Sequence, residues 1–354
     1  PLDAAVAARN LLALQSFKLG GLSGLGPNFV DAPSARNVLF LVRGENLFQT
    51  LMLNLVEYNK DEPIPGSGSD EDCPAWEQDY PLNSSIPKGY LDYLTWQTLL
   101  MRLATDSNGL GIVGCEMALG RNLKSDGNIF DPAVAYRKDA KVGWLGLRFR
   151  EGRVLWRDST SLLSIASAEN RPPQIIQWLS LLVKRKVIEK SSIYKVDAYG
   201  LGTKKARIDF WRHEYLPLPL DYLVDEYLVE DLQSALAEAE KVGDALTQAL
   251  KQLAIGISPS TGNKVDWDAV NDIVKHLGAD KLFWSRLEMP FHHLLWELPN
   301  SRNEAMDNWV DTLRRTCWNC FEEATRDLDG SARMLQSIVE ARQKLGGGLK
   351  RVLG

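Results

Sequence analysis

Residues 228–253 read LVEDLQSALAEAEKVGDALTQALKQL. Apolar side chains recur at Leu228, Leu232, Ala235, Ala239, Val242, Leu246, Ala249 and Leu253, in alternating steps of four and three. That spacing returns to one side of an α-helix at every turn, and so long a seam needs partner helices to cover it. Downstream, Ser301-Arg302-Asn303-Glu304 has capping-box spacing and opens a helix that carries Trp309, Leu313, Cys317 and Cys320 inward. Asp329-Gly330 predicts a turn before a last helix over 331–345, which Gly346-Gly347-Gly348 should end. Helices at about 220–256, 266–298 (broken near Pro290), 301–327 and 331–345 then make an antiparallel four-helix bundle out of residues 216–354.

Upstream the texture changes. Residues 5–17 predict a helix, and Gly20 to Asn28 (GGLSGLGPN) holds too much glycine for a regular element and reads as a loop. Residues 44–58 return to helical period, with Leu47, Leu51, Leu55 and Tyr58 on one face. The stretch 59–88, with IPGSGSDEDCP inside it, has no apolar period and reads as a mobile acidic insert. Strands are expected at 110–115, at 142–149 paired with 153–157, and at 193–199 paired with 206–211. A helix over 173–186 follows Pro172-Pro173. The class is therefore α+β: a mixed α/β part over 1–215 with short strands and hairpins, then the bundle.

Composition narrows the function classes. The chain has 354 residues, 45% hydrophobic and 25% charged, with a net charge of −5. That is enough for two cored domains and excludes a disordered, collagenous or rod-like chain. Four cysteines staple nothing, so a reducing cytoplasm is the default. No apolar run reaches the ~18 residues of a membrane span, which argues against a membrane partner. The opening has no basic n-region and so is not read as a signal peptide; beginning on Pro1, the chain looks cut from a longer one. Mild acidity argues against coating nucleic acid everywhere, but not against a local basic site.

Catalytic constellations are hard to find. Cys317-Trp318-Asn319-Cys320 is a CxxC inside an expected helix with no second pair, so the reading favoured is two core residues rather than a redox or zinc site. His292 and His293 point ~100° apart on a helix and cannot grip one metal as an i, i+4 pair does. No GxSxG, Walker A or HExxH occurs, and Gly20–Gly26 lacks the preceding strand that a dinucleotide loop needs. No cofactor is expected. What stands out is cationic character at turns. Gly200-Leu201-Gly202-Thr203-Lys204-Lys205 sits between two expected strands, as a finger able to enter a DNA groove or as an ordinary solvated hairpin. Arg121 and Lys124 are either loop cations or phosphate contacts.

Four blocks occur in order: LVRGENLFQTLMLNLVEYN (41–59), GYLDYLTWQTLLMRL (89–103), FDPAVAYRKD (130–139) with LWRD (155–158), and DAYGLGTKKARIDFWRHEYLPLP (197–219). With the helical half behind them they resemble the CasA family, the large subunit of the type I-E CRISPR surveillance complex Cascade. The resemblance spans nearly the whole chain and matches the later two-thirds or so of a family member. It implies a subunit without catalysis that recognises the protospacer-adjacent motif of double-stranded target DNA from the minor groove. It also implies help in opening the duplex, a hold on displaced single strand, and a docking surface for the helicase–nuclease. The implied partners are the guide-RNA-containing Cascade subunits, in the cytoplasm. Base pairing then reads the rest of the target, and minor-groove reading is permissive.

Residue by residue, the resemblance carries the family's glycine loop onto Gly24, Gly26 and Asn28, and its lysine onto Arg121, with Lys124 as competitor. It carries the wedge hairpin onto Gly202, Thr203, Lys204, Lys205 and Ala206. The family's best-known wedge has glutamine where this chain has Lys204-Lys205, which puts amide bonding to a base in doubt. Some members carry a cysteine cluster in the middle region; only Cys115 remains here, so no structural zinc is expected. The competing reading is a helical scaffold that contributes nothing to base recognition.

Overall fold

The computed structural model describes residues 1–20, 30–57, 72–78, 86–123, 129–163, 169–204, 207–258, 265–328 and 330–354. In chain order the first part holds β1 (Leu2–Asp3), α1 (Ala4–Phe17), β2 (Leu39–Arg43), α2 (Leu47–Asn54), α3 (Tyr90–Leu94), β3 (Leu99–Thr105) and β4 (Gly111–Leu119). Then come β5 (Tyr136–Asp139), β6 (Gly143–Gly146), α4 (Ser159–Leu163), β7 (Asn170–Arg171), α5 (Gln174–Lys184), β8 (Ile193–Lys204) and β9 (Arg207–Pro219). The strands form three small sheets, ordered β1-β4-β3, β2-β8-β9 and β6-β5-β7. After β9 the chain is helical: α6 (Glu226–Ile257), α7 (Trp267–Leu277), α8 (Ala279–Glu297), α9 (Arg302–Arg326) and α10 (Ala332–Leu353). The architecture is thus helices with small antiparallel sheets, followed by a helical region.

Two compact units divide the chain: Pro1–Leu155 with Ser161–Leu216, and Trp156–Thr160 with Pro217–Gly354. The excursion at 156–160 was not expected from sequence, which placed it in the first part. Trp156 explains it. Its ring stacks on Phe291 at 4.7 Å and meets Trp284 at 5.8 Å and Trp309 at 6.5 Å, all within the helical unit. Arg157 lies over the Trp284 ring and donates to Glu240 at 2.7 Å. The strand expected over 153–157 is therefore replaced by a 3₁₀ turn, Leu155–Asp158, because the indole has an apolar site to fill.

All eight seam residues of α6 are buried, and this helix packs against α7, α8, α9 and α10. Asp225 starts it by accepting a hydrogen bond from the Tyr227 amide. Three expectations about the helical half need correction. The break lies at Gly278, not near Pro290: Gly278 has φ 66°, the left-handed geometry that glycine adopts without strain, and it separates α7 from α8. Pro290 stays inside α8 because buried Leu287, Phe291 and Leu294 hold both flanks in place. The last helix runs through Gly346–Gly348 to Leu353, since Leu345 and Leu349 on either side are buried. Ser301 is the N-cap residue of α9, but its side chain makes no cap hydrogen bond.

In the first unit, β1, β2, β3, β5 and β7 were missed and α2 is shorter than expected. The α2 face bearing Leu47, Leu51 and Leu55 is the exposed one, while Leu53 points inward. Within the insert, residues 72–78 are hydrogen-bonded to the start and end of α3. Asp72 accepts from the amides of Leu91 and Asp92 at the start of α3, and buried Ala75 donates to Thr95 Oγ1 at 2.8 Å. Residues 59–71 and 79–85 lie outside the described ones.

Trp156→Ala removes the ring around which three aromatics gather, so the helical unit should lose about 3–5 kcal/mol. Urea unfolding followed by far-ultraviolet circular dichroism measures it, and an unchanged midpoint would refute the placement of Trp156.

Candidate nucleic-acid interface

The β2-β8-β9 sheet holds Gly202, Thr203 and Lys204, three of the residues expected to form a wedge. β8 ends at Lys204 and β9 begins at Arg207, so two hydrogen-bonded neighbours joined by two residues form an antiparallel hairpin. Side chains alternate along β8, with Val196 and Ala198 fully buried on one face. The opposite face carries Lys195, Asp197 and Tyr199, aligned across the ladder with Arg43, Leu41 and Leu39 of β2.

Like charges directly opposite each other repel, and Arg43 faces Lys195 in register. Asp197 offsets that repulsion. Its side chain is fully buried, with Arg43 Nε at 2.7 Å, His213 Nε2 at 2.8 Å and Lys195 Nζ at 4.0 Å. A hydrogen bond with the Tyr199 hydroxyl, together with the Asp197 charge, raises the Arg43 pKa further above its ordinary value. His213 stacks flat on Tyr199 at 4.5 Å, and Lys195 lies over the Tyr215 ring at 4.0 Å. Trp211 and Tyr215 are 63% and 51% exposed. The result is a solvent-facing sheet surface on which cations alternate with aromatic rings, held in order by one buried carboxylate. Such a surface can stack bases and neutralise phosphates.

Of the residues chosen from sequence, the structure relocates two and describes others only in part. Gly202 is buried, and a Cβ there would overlap the Phe210 ring. Its lack of a side chain makes room for that ring. Thr203 is half-buried in β8, and Lys204 ends the strand, with its side chain outside the described residues. Lys205, Ala206, Lys124 and the glycine loop (Gly24, Gly26, Asn28) also lie outside them.

Arg121 is the clear correction. Its side chain is 2% exposed and gives a bidentate pair to the buried Asp92, Nη1–Oδ1 2.6 Å and Nη2–Oδ2 2.9 Å. The guanidinium lies 3.5 Å from the centroid of the Trp96 ring. A cation so enclosed cannot meet a phosphate. Burial alone would push the Asp92 carboxyl up; hydrogen bonds from Arg121, the Lys88 amide and Gln78 outweigh it and hold the carboxyl below its ordinary value. Sequence reasoning missed Arg43, Lys195, Trp211, His213 and Tyr215. The alternation Trp211, His213, Tyr215 along a strand was the available signal.

Residues 1–320 match the family described as CRISPR-associated protein Cse1. The chain belongs to the Cse1 family. The CasA/Cse1 protein of Thermus thermophilus is 27% identical over 381 residues, which cover 99% of this chain and 68% of that protein. The crystal structure of CasA from the same organism aligns with a TM-score of 0.81 at 26% identity, over 99% of this chain and 72% of that one. The fold also matches a chain of a CRISPR RNA-guided surveillance complex, with a TM-score of 0.73 at 21% identity over 98% and 69% of the two chains.

For a Cse1-family chain the CxxC reads as core. Cys317 and Cys320 are fully buried, and burial pushes the Cys317 thiol up to about 12 and raises Cys320 as well. Both shifts favour the neutral thiol over the thiolate. Among the described residues no helix is long and apolar enough to cross a membrane.

Arg121→Leu should cost about 3–5 kcal/mol by stranding Asp92, and Arg121→Leu with Asp92→Leu should regain much of it. Because the Asp92 pKa is lowered on folding, its contribution is complete above the unfolded value of about 4 and is lost as pH falls through the lower folded value. Denaturant titrations of wild type and the double variant between pH 7 and pH 2 test both statements: the wild type should lose more stability on acidification.

Proposed function

We propose that this chain is a non-catalytic DNA-reading subunit of a CRISPR RNA-guided surveillance complex. In this reading it recognises a short duplex motif beside the target, helps open the base pairs next to it, and offers a surface to the helicase–nuclease. It works in the cytoplasm beside the guide-RNA-bearing subunits. The observation that carries the reading is the cation–aromatic sheet face of a Cse1-family chain, on strands β8 and β9, which end at Lys204 and begin again at Arg207. Lys204 and Lys205 are proposed to meet phosphates as the duplex opens, and Arg43, Lys195, Trp211 and Tyr215 to hold the strand that is released. Gly24, Gly26 and Asn28 remain the proposed groove-facing loop, and Lys124 takes over the basic role first given to Arg121. In the helical half, α6, α8, α9 and α10 are proposed to make an antiparallel four-helix bundle that supports assembly. The buried thiols of Cys317 and Cys320 weigh against a redox role.

The assembled complex is the place to test this. Replacing Lys204 and Lys205 with Ala should lower the salt slope of log affinity for paired target by about two, while leaving assembly unchanged. The loss should be smaller on a target already mismatched beside the motif, because an open substrate needs no wedge. Equal affinity and equal slope on both targets would move the scaffold reading ahead.

A further inference from the structure

The helical unit carries a surface of the opposite character. Met289, His292, His293 and Trp296 fall at i, i+3, i+4 and i+7 along α8, on the side away from buried Phe291, Leu294 and Leu295. A core-facing helix needs one apolar stripe; on its other side α8 exposes two further large apolar side chains, Met289 and Trp296. Met289 is 68% exposed and Trp296 63% exposed, and both line a groove of about 760 Å³ that Ala305 of α9 and Pro217 complete. Large apolar side chains left in water at one concave place mark a docking site. Met289 and Trp296 stand about 10 Å apart along the helix axis, the length of some three extended residues.

The charge at the groove selects the occupant. Glu297 and Glu304 line it, and among the described residues no lysine or arginine does. His293 Nδ1 lies 3.4 Å from Glu297. Burial lowers the His292 pKa against the opposing pull of Glu288, which favours the neutral ring. Two carboxylates repel a phosphodiester chain and attract cations, while the tryptophan and methionine floor asks for an apolar anchor. We propose that this groove docks a peptide segment of a partner protein in which an apolar side chain is flanked by arginine or lysine. The site is independent of the hairpin and of the DNA reading.

The probe is a twelve-residue synthetic peptide of alternating leucine and arginine, titrated into the full chain labelled with ¹³C at its methionine methyls. Met289→Leu assigns the Met289 signal among the six methionines. The expected result is a saturable shift of the Met289 methyl with the other five unmoved. Trp296→Ala should weaken binding about tenfold or more, as removal of a central aromatic anchor does. Glu297→Gln with Glu304→Gln should weaken it and flatten its salt dependence. Melting curves check that each variant is folded; should Trp296→Ala fail, the glutamine pair carries the test. The proposal is overturned if the Met289 methyl stays still, or if all methionines move together. A leucine–glutamate peptide or an oligothymidine that shifts Met289 equally would overturn it too, as would unchanged affinity in the folded variants.

Discussion

Helix α6 is 32 residues long, and its whole apolar seam is removed from water. An isolated helix gains little from its own hydrogen bonds, so most of its stability comes from the face it buries. The seam mixes bulky and small side chains, with Leu228, Leu232, Leu246 and Leu253 on either side of or between Ala235, Ala239 and Ala249. Small positions let neighbouring helices approach and large ones fill the space between them. That requirement brings α7 to α10 onto one helix and leaves an aromatic cluster beside it, where Trp309 donates to the Ala235 carbonyl at 2.9 Å. Trp156, delivered from a distant part of the chain, completes the cluster.

Two buried carboxylates organise the mixed unit, and the difference between them separates support from exposed surface. Asp92 and Asp197 are both fully buried and both hold an arginine. The Arg121 side chain goes inside with its partner, at 2% exposure, and ties α3 to the stretch that follows β4. That of Arg43 keeps 47% of its surface in water and is only steadied by its partner. A cation enclosed on all sides costs its desolvation and can give nothing to a ligand, whereas one anchored from beneath is pre-oriented for an anion.

The exposed surfaces of the two units are chemically distinct. The sheet face of β2-β8-β9 offers cations between aromatic rings, and the groove on α8 and α9 offers carboxylates around apolar ones. A surface of the first kind suits a polyanion with flat bases, and the second rejects it. In the proposed reading, one chain serves a nucleic acid and a protein segment without the two ligands competing for the same chemistry.

Periodicity alone determined α6, because a sustained three–four alternation has one low-energy solution in water, a helix with a covered seam. It also placed the β8–β9 hairpin and the core position of Cys317 and Cys320. Ordered blocks such as DAYGLGTKKARIDFWRHEYLPLP carried the family. Only the tertiary structure decided which cations face outward. Arg121 and Arg43 look alike in a string of letters, and the partner that encloses one of them stands 29 positions away. Only the fold could show that Gly202 makes room for the Phe210 ring, or that Trp156 leaves its sequence neighbours to stack on Phe291. Helix ends, too, were set by long-range burial: Leu345 and Leu349 carry α10 across three glycines that would end a helix on its own. Local pattern reports the period of an element, whereas burial and pairing are properties of whatever the rest of the chain brings alongside it.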